Sequence, residues 1–243
     1  ALVGPPHPSF SPPPRGAFWS FFIYLVAPGH PPPPGQIRNS NGPMLGALVQ
    51  RAGGRHIDLG IGRDDEQSLT ELVGRGLEAD VLVLSGGVSA GVLDLVPGVL
   101  ASLGVAQVFH KVNLKPGKPV WFGVLADPAG DKLVFGLPGN PVSSLVCFEL
   151  FVRPAIARLS GGCADRLATQ VARLTNDHRH RGDRPTYFPA RLRAIEDQSQ
   201  VELLAWKGSA DLRTLSNADC LAFFPKGERA YHAGDEIDVV LFP

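Results

Sequence analysis

Hydrophobic positions between residues 35 and 162 follow two spacings in turn. Apolar residues at helical spacing predict helices over residues 43–53 and 64–78. Short continuous apolar runs predict buried strands at residues 56–61 and 81–84. Further strands are predicted at residues 105–114, 120–125 and 132–135, and a further helix at residues 93–103. This alternation predicts an α/β domain with a mainly parallel sheet flanked by helices, in which ligands bind at the carboxyl ends of the strands.

The pattern changes after Gly161 and Gly162. Short runs of alternating apolar residues, separated by turn residues, predict a small all-β domain there. These runs are residues 167–174, 186–194, 201–206, 218–224 and 236–242. We therefore predict three regions, namely a proline-rich leader (residues 1–34), the α/β domain (residues 35–162) and a C-terminal all-β domain (residues 163–243).

The first 34 residues differ in composition from the rest of the chain. Proline clusters surround an apolar stretch at residues 17–26, which is too short to cross a bilayer as a helix. A basic start and a small-residue cleavage site are both missing, so the stretch does not resemble a signal peptide. The main expectation is a disordered or non-family leader, and the alternatives are a packing strand or a membrane-associating segment.

Charge and cysteine content exclude several classes of protein. The chain of 243 residues has 23 Lys plus Arg and 23 Asp plus Glu, which argues against a general nucleic-acid or membrane-surface binding face. Its three cysteines lack Cys-x-x-Cys spacing, which argues against a disulfide framework and a zinc site. We expect a cytoplasmic protein in which any anion site is local.

A first candidate anion site is the turn Lys-Pro-Gly-Lys-Pro at residues 115–119. The central Pro-Gly pair reverses the chain and can leave Lys115 and Lys118 beside the same oxygens. Such a pair would clamp a phosphate or another oxyanion. The alternative is that both are solvated turn lysines.

A second candidate is the segment Gly-Leu-Pro-Gly-Asn-Pro-Val-Ser-Ser at residues 136–144. Asn140 suits a helix N-cap, and Pro141 suits the first helical position. Ser143 then falls in the first turn, where unsatisfied N–H groups favour an anion. A well-capped core helix is the compatible structural alternative.

The third candidate is the end of the strand predicted at residues 80–85, which runs into Gly-Gly-Val-Ser-Ala-Gly at residues 86–91. Glycine lets the backbone approach a ligand closely. One glycine-rich strand end is a weak signal, and the chain has no P-loop pattern. The three segments together are much more specific.

These segments, with Gly-Gln-Ile-Arg-Asn-Ser-Asn-Gly at residues 35–42, resemble the molybdopterin molybdenumtransferase family, which includes the C-terminal part of gephyrin. The resemblance runs from about residue 35 to the C-terminus and implies that the all-β domain is a β-barrel. It implies a transferase for molybdenum cofactor biosynthesis, which inserts molybdate into adenylylated molybdopterin and releases AMP with Mg²⁺ assisting. It further implies a homodimer with small-molecule substrates and neither a nucleic-acid partner nor a membrane span.

The resemblance also implies roles for individual residues. Lys115, Lys118 and Pro119 match positions near the molybdate and the terminal phosphate, and the strand end with its loop matches the pterin and phosphate site. The residues implied for binding are Ser85, Gly86, Gly87, Ser89, Gly91, Pro119, Gly139, Asn140, Pro141, Ser143, Arg184 and Ser209; those implied for catalysis are Asp94, Lys115 and Lys118, with Asp94 also as a metal ligand.

One departure from the family pattern affects the chemistry. Val92 stands where the family usually has an acidic residue, and a valine cannot ligate magnesium or orient a water. Asp94 keeps the second acidic position and would have to substitute. Molybdopterin binding is therefore better supported than turnover.

Several other interpretations remain open. The chain could be a non-catalytic molybdopterin-binding module, a gephyrin-like scaffold or an inactive fragment. A general nucleotide-binding enzyme is less favoured, because the G-x-G-x-x-G fingerprint is missing. His178 and His180 lie in a charged segment without a third ligand, so we expect them to be exposed and do not place them in the site.

Overall fold

The computed structural model describes residues 13–21, 25–63, 65–87, 95–161, 167–195 and 198–242. The strands are β1 (Arg15–Phe21), β2 (Leu25–Val26), β3 (Ile37–Arg38), β4 (Arg55–Gly62), β5 (Val81–Ser85), β6 (Ala106–His110), β7 (Trp121–Leu125), β8 (Lys132–Leu137), β9 (Thr169–Leu174), β10 (His178–Gly182), β11 (Thr186–Ile195), β12 (Gln198–Leu203), β13 (Cys220–Phe224), β14 (Gly227–Tyr231) and β15 (Glu236–Leu241). The helices are α1 (Asn41–Arg51), α2 (Glu66–Gly76), α3 (Leu95–Ser102), α4 (Pro141–Cys147), α5 (Arg153–Leu159) and α6 (Leu212–Leu215), with a π-helical turn at Phe148–Val152.

Six strands form one sheet in the order β4-β1-β5-β8-β7-β6. The strands β4, β1, β5 and β8 run parallel to one another, whereas β7 and β6 pair antiparallel. All residues of β5 are buried, as expected of a continuous apolar strand in the middle of a sheet that is covered on both faces. The expected α/β class with a mainly parallel sheet is confirmed.

The two faces of the sheet bury different sets of residues. Val81 and Val83 of β5 join a core with α1, α4 and α5, while Leu82 and Leu84 join a second core with α2 and α3. This division follows the period of two along a strand. Asp65 caps α2 by accepting a hydrogen bond from the Ser68 N–H at 2.8 Å, so this helix begins where the acidic residues indicate.

Strand β1 lies inside the region predicted as a leader. It pairs in parallel with β4 on one side and with β5 on the other, so its backbone is part of the sheet interior. For Arg15–Phe21 the structure therefore has the packing strand, which was one of the alternatives, and not a disordered segment. The proline clusters around this segment argued against a strand, although both edges of β1 make main-chain hydrogen bonds with neighbouring strands.

The C-terminal part contains a closed barrel of five strands in the order β11-β12-β9-β15-β13. These strands correspond to the five alternating runs of the sequence, and the barrel prediction is confirmed. The pair β10 and β14 forms a separate antiparallel two-stranded sheet, which was not among the predicted elements. The charged segment that contains His178 and His180 is strand β10.

Main-chain hydrogen bonds connect the barrel to the α/β part. The Lys115 N–H donates to the Pro185 carbonyl at 2.9 Å, and the Tyr187 N–H donates to the Lys115 carbonyl at 2.8 Å. Near α4, the Val142 N–H donates to the Ser209 carbonyl at 3.0 Å. In the part of the chain that the structure describes, no helix combines the length and the apolar character that a membrane crossing requires.

Candidate functional site

A cavity that residues of the predicted site border lies between the carboxyl ends of the parallel strands and the barrel, and we call it the central cleft. Its volume is about 740 Å³. It is lined by Leu25, Ile37, Arg38, Asn39, Ser40, Asn41, Ser85, Gly86, Gly87, Pro119, Pro138, Gly139, Asn140, Pro141, Ala210 and Leu212. All three candidate segments of the sequence therefore contribute to one cleft.

The first wall of the central cleft is the end of β5. Gly86 and Gly87 have φ angles of 92° and 68°, which glycine adopts without strain. The Gly86 N–H donates to the Leu137 carbonyl at 2.9 Å and so ties this turn to the end of β8. Ser89, Gly91 and Asp94 were also assigned to this loop, and they lie outside the described residues.

A buried polar network joins the three loops beneath the cleft. The Asn41 Nδ2 donates to the Ser85 hydroxyl at 2.7 Å and to the Gly139 carbonyl at 2.8 Å, and it lies 3.4 Å from the Ser144 hydroxyl. Ser144 in turn donates to the Pro138 carbonyl. The Asn41 side chain thus fixes the start of α1 against the ends of β5 and β8.

Asn41 and Ser144 were not among the predicted site residues. Asn41 belongs to the stretch at residues 35–42 that carries the family resemblance, but no role was assigned to it. Its Oδ1 is buried without a hydrogen-bond partner among the described residues, and the residue is only 7% exposed.

The segment before α4 forms the opposite wall. Asn140 occupies the N-cap position but makes no capping hydrogen bond; its Nδ2 donates instead to the Ser209 hydroxyl at 2.8 Å. This contact joins the segment before α4 to the barrel loop that carries Ser209. Ser143 is 5% exposed and is not part of the cleft lining, because the first turn of α4 directs it into the protein.

The lysine turn at residues 115–119 has the expected reversal. The Val112 N–H donates to the Lys118 carbonyl at 2.9 Å, and Gly117 has a φ of 117°. Its two lysines do not share a cavity, however: Lys115 lines a second pocket beside the barrel, and Lys118 is exposed and lines neither cavity. Only Pro119 of this turn borders the central cleft.

The second pocket, which we call the histidine pocket, has a volume of about 440 Å³. It is lined by Lys115, His178, Arg179, His180, Arg181, Thr186, Phe188 and Trp206. The expectation that both histidines are exposed is wrong, because His180 is 6% exposed and His178 is half-buried. On β10 the histidines point inward against Phe224, and the arginines between and after them point outward.

Arg184 lies where the barrel contacts the α/β part. Its Nη1 donates to the Leu114 carbonyl at 3.1 Å, and its Nε lies 3.3 Å from Asp183. The hydrogen bond from Arg184 lowers the pKa of Asp183. Arg184 lines neither cavity, so its position in the structure is that of a connecting residue.

Metal ligands are not gathered among the described residues. No group of three or more His, Cys, Asp or Glu side chains in that part of the chain is placed to hold a metal ion.

Comparison with known proteins shows two matches to family models. Residues 23–158 match the model described as probable molybdopterin binding domain, and residues 171–242 match the MoeA C-terminal region (domain IV). The first match covers more than half of the chain and begins inside the region predicted as a leader.

Individual relatives agree with these matches. A protein from Nostoc sp. named molybdopterin molybdenumtransferase is 34% identical over 95% of this chain and 53% of its own length. One of the same name from Bacillus subtilis is 32% identical over 89% of this chain and 50% of its own length. The crystal structure of a molybdopterin biosynthesis MoeA protein from Pyrococcus horikosii superposes with a TM-score of 0.78 at 33% identity, covering 95% of this chain and 55% of that one. The chain thus spans about half the length of these relatives.

Proposed function

Because this chain belongs to the molybdopterin-binding domain family and continues into the MoeA-type C-terminal domain, we propose that it acts in molybdenum cofactor biosynthesis as a molybdopterin molybdenumtransferase. The reaction inserts molybdate into adenylylated molybdopterin and releases AMP. The observation that carries this proposal is the central cleft, where three loops with separate sequence signals meet.

The lining of the central cleft suits a flat, polar heterocycle with a phosphate. Ile37 and Leu212 are 65% and 43% exposed, so they offer apolar surface on which a pterin ring can pack. Gly86 and Gly87 carry no side chain, so a phosphate can approach the backbone closely at the end of β5.

The barrel side of the cleft supplies the remaining predicted contacts. Asn140 and Ser209 are joined by a hydrogen bond and lie at the point where the barrel loop meets α4. We place the pterin and its phosphate between this pair and the Gly86–Gly87 turn. Lys115, Lys118, Ser143 and Arg184 remain predicted contacts of the molybdate or phosphate end.

Other parts of the assignment remain proposals about the whole protein. A magnesium ion would depend on Asp94 or on carboxylates beyond the described residues, so we derive no step through it. The homodimer follows only from the family resemblance, and the cytoplasmic location only from the cysteine content.

The first test measures AMP release from adenylylated molybdopterin by the 243-residue chain, with magnesium and with or without molybdate. Molybdate-dependent release is the expected result. Asn140→Ala should weaken substrate binding by about 1–3 kcal/mol, because it removes a polar contact of the cleft. Asn176→Ala on the barrel is the matched control, since this exposed asparagine bonds only to its neighbour Thr175 among the described residues.

The outcomes separate the alternatives. Molybdate-dependent release supports the transferase. If the chain binds substrate, Asn140→Ala weakens that binding and no AMP is released, the result supports a molybdopterin-binding protein without turnover. Absence of binding, or equal effects of the two asparagine variants, contradicts the placement of substrate in the central cleft.

A further inference from the structure

The loop between β2 and β3 contains four consecutive prolines at residues 31–34. Its two ends are held together, because β2 and β3 pair in parallel and the Asn39 N–H donates to the Val26 carbonyl at 2.9 Å. The two strands carry Leu25 and Ile37 into the lining of the central cleft, whereas the four prolines border neither that cleft nor the histidine pocket. The proline segment therefore has no part in the site described above.

A tight turn bounds the proline segment on each side. Before it, the His30 N–H donates to the Ala27 carbonyl at 3.0 Å. After it, the Gln36 N–H donates to the Pro33 carbonyl at 3.0 Å, and Gly35 has a φ of 83°. A positive φ at the third position is typical of a type II turn, in which the second position, a proline here, is extended. The segment between the two turns is therefore fixed at both ends.

The sequence restricts the backbone between these turns to one conformation. Each proline ring holds its own φ at about −65°. A following proline also disfavours the helical region for the residue before it, and this applies to every residue from His30 to Pro33. Pro34 is extended as the second residue of the type II turn. Residues 30–34 therefore form a short polyproline II helix, about 15 Å long and with about three residues per turn.

The exposure of the side chains follows this period of three. His30 and Pro33 share one edge of the helix and are both exposed, and Pro31 and Pro34 share a second edge and are both exposed. Pro32 lies on the third edge and is half-buried. Among the described residues, no main-chain N–H donates to the carbonyls of Pro31 and Pro32. The helix thus rests on the protein along one edge and presents two edges and unpaired carbonyl groups to solvent.

We propose that the segment from His30 to Pro34 is a docking site for the aromatic-lined groove of a proline-recognising protein domain. Such a groove packs aromatic rings against the proline rings of a polyproline II helix, and its Trp N–H or Tyr O–H groups donate to the carbonyl groups of the helix. The two exposed edges and the unpaired carbonyls supply both kinds of contact. Because the two turns already fix the segment in the conformation that the groove binds, docking costs little conformational entropy.

The residues around the segment indicate which kind of groove fits. No Lys, Arg, Asp or Glu occurs between Leu25 and Ile37, so a groove with an acidic pocket for a basic flank, as in SH3 domains, finds no cation here. A groove that binds proline rings and carbonyls without a charged contact, of the WW type, fits the segment. Its affinity should not depend on ionic strength, because no ion pair forms. The segment lies outside the lining of the central cleft, so docking is independent of the transferase proposal.

The test is an NMR titration of an isotopically labelled WW domain that binds uncharged proline runs, with the unlabelled full chain as ligand. We expect a saturable shift of the indole N–H signal of the tryptophan in the groove, with equal affinity at low and high salt. Pro31→Ala combined with Pro34→Ala removes both rings of one exposed edge and should weaken binding at least about tenfold. Pro5→Ala combined with Pro6→Ala is the matched control, because it removes two prolines from a different cluster.

Circular dichroism reports whether each variant is folded, and two single variants keep the test decisive if a double variant unfolds. Pro31→Ala, on an exposed edge, should weaken binding more than Pro32→Ala, on the half-buried edge. An SH3 domain titrated in the same way should bind more weakly than the WW domain. The proposal is overturned by the absence of a saturable shift, by equal effects of the two double variants, by affinity that falls as salt is raised, or by tighter binding of the SH3 domain.

Discussion

Replacement of Asn41 by alanine tests whether the buried polar network holds the central cleft together. The side chain donates two short hydrogen bonds, to Ser85 at 2.7 Å and to Gly139 at 2.8 Å, whereas the contact with Ser144 at 3.4 Å is weak. Each short bond contributes about 1 kcal/mol net. The Oδ1 atom has no partner among the described residues, so its removal costs no hydrogen bond there.

We therefore expect Asn41→Ala to lower the free energy of unfolding by about 2–3 kcal/mol, with a small part of this from the lost volume. Urea denaturation followed by circular dichroism measures this value. The exposed Asn176→Ala control should change stability by less than about 0.5 kcal/mol.

Asn41→Asp separates hydrogen bonding from volume. Aspartate has nearly the same shape, but an ionised carboxylate has only acceptors and places an oxygen against the Gly139 carbonyl. It should therefore destabilise the protein at least as much as alanine does. An aspartate variant as stable as the unmodified chain, or an alanine variant within about 0.5 kcal/mol of it, would refute the role of the network.

Two further predictions concern the supporting structure. Gly117→Ala should destabilise the protein by about 1–2 kcal/mol because the φ of residue 117 is 117°. The new Cβ would also lie 2.6 Å from the Cys147 Sγ, which adds a steric cost. In a double-mutant cycle followed by urea denaturation, Cys147→Ala should relieve only this steric cost. Burial raises the pKa of Glu149 to about 7 against the opposing charges of Arg153 and Arg51, so the folded state retains a proton that the unfolded state releases. The contribution of Glu149 to stability should fall by about 3 kcal/mol as pH rises from about 4.5 to about 7 and then level off, whereas His178 and His180, whose pKa values burial lowers, contribute with the opposite sign. The stability difference between the unmodified chain and Glu149→Gln, measured by urea denaturation across this range, isolates the carboxyl. A difference that does not change with pH would contradict the assignment.

Elements whose apolar residues repeat with one clear period could be predicted closely. The strand predicted at residues 81–84 is Val81–Ser85, and the helix predicted at residues 64–78 is Glu66–Gly76. In both, burial of one continuous run or one face decides the local structure. The strand Arg15–Phe21 could not be predicted in this way, because its place depends on pairing with β4 and β5 on both sides.

Strand β10 has a period of two that its composition conceals. His178 and His180 face the aromatic core, while Arg179 and Arg181 face outward to Glu228. Because both faces of β10 consist of polar residues, its alternation of inward and outward side chains does not appear as an alternation of apolar and polar residues. Histidine can pack against aromatic rings when burial keeps it neutral, and this made the inward face possible.

The candidate site was predictable where backbone geometry defines it and not where side chains from distant segments meet. Gly86, Gly87 and Asn140 could be assigned because glycine turns and helix starts have local signatures. The contact of Asn41 with Gly139 joins residues separated by 98 positions, and only the folded sheet brings them together. The direction of Lys115 likewise depends on how its turn pairs with Pro185 and Tyr187 of the barrel.

The central cleft and the histidine pocket are lined by residues from the same two segments, the lysine turn and the barrel loop. The lysine turn contributes Lys115 to the histidine pocket and Pro119 to the central cleft. The barrel loop contributes Trp206 to the pocket and Ala210 to the cleft, and the Trp206 Nε1 holds this loop by donating to the Gly208 carbonyl at 2.6 Å. A ligand in either cavity therefore contacts the same two segments. Since one segment belongs to the α/β part and the other to the barrel, neither part alone can form the complete site.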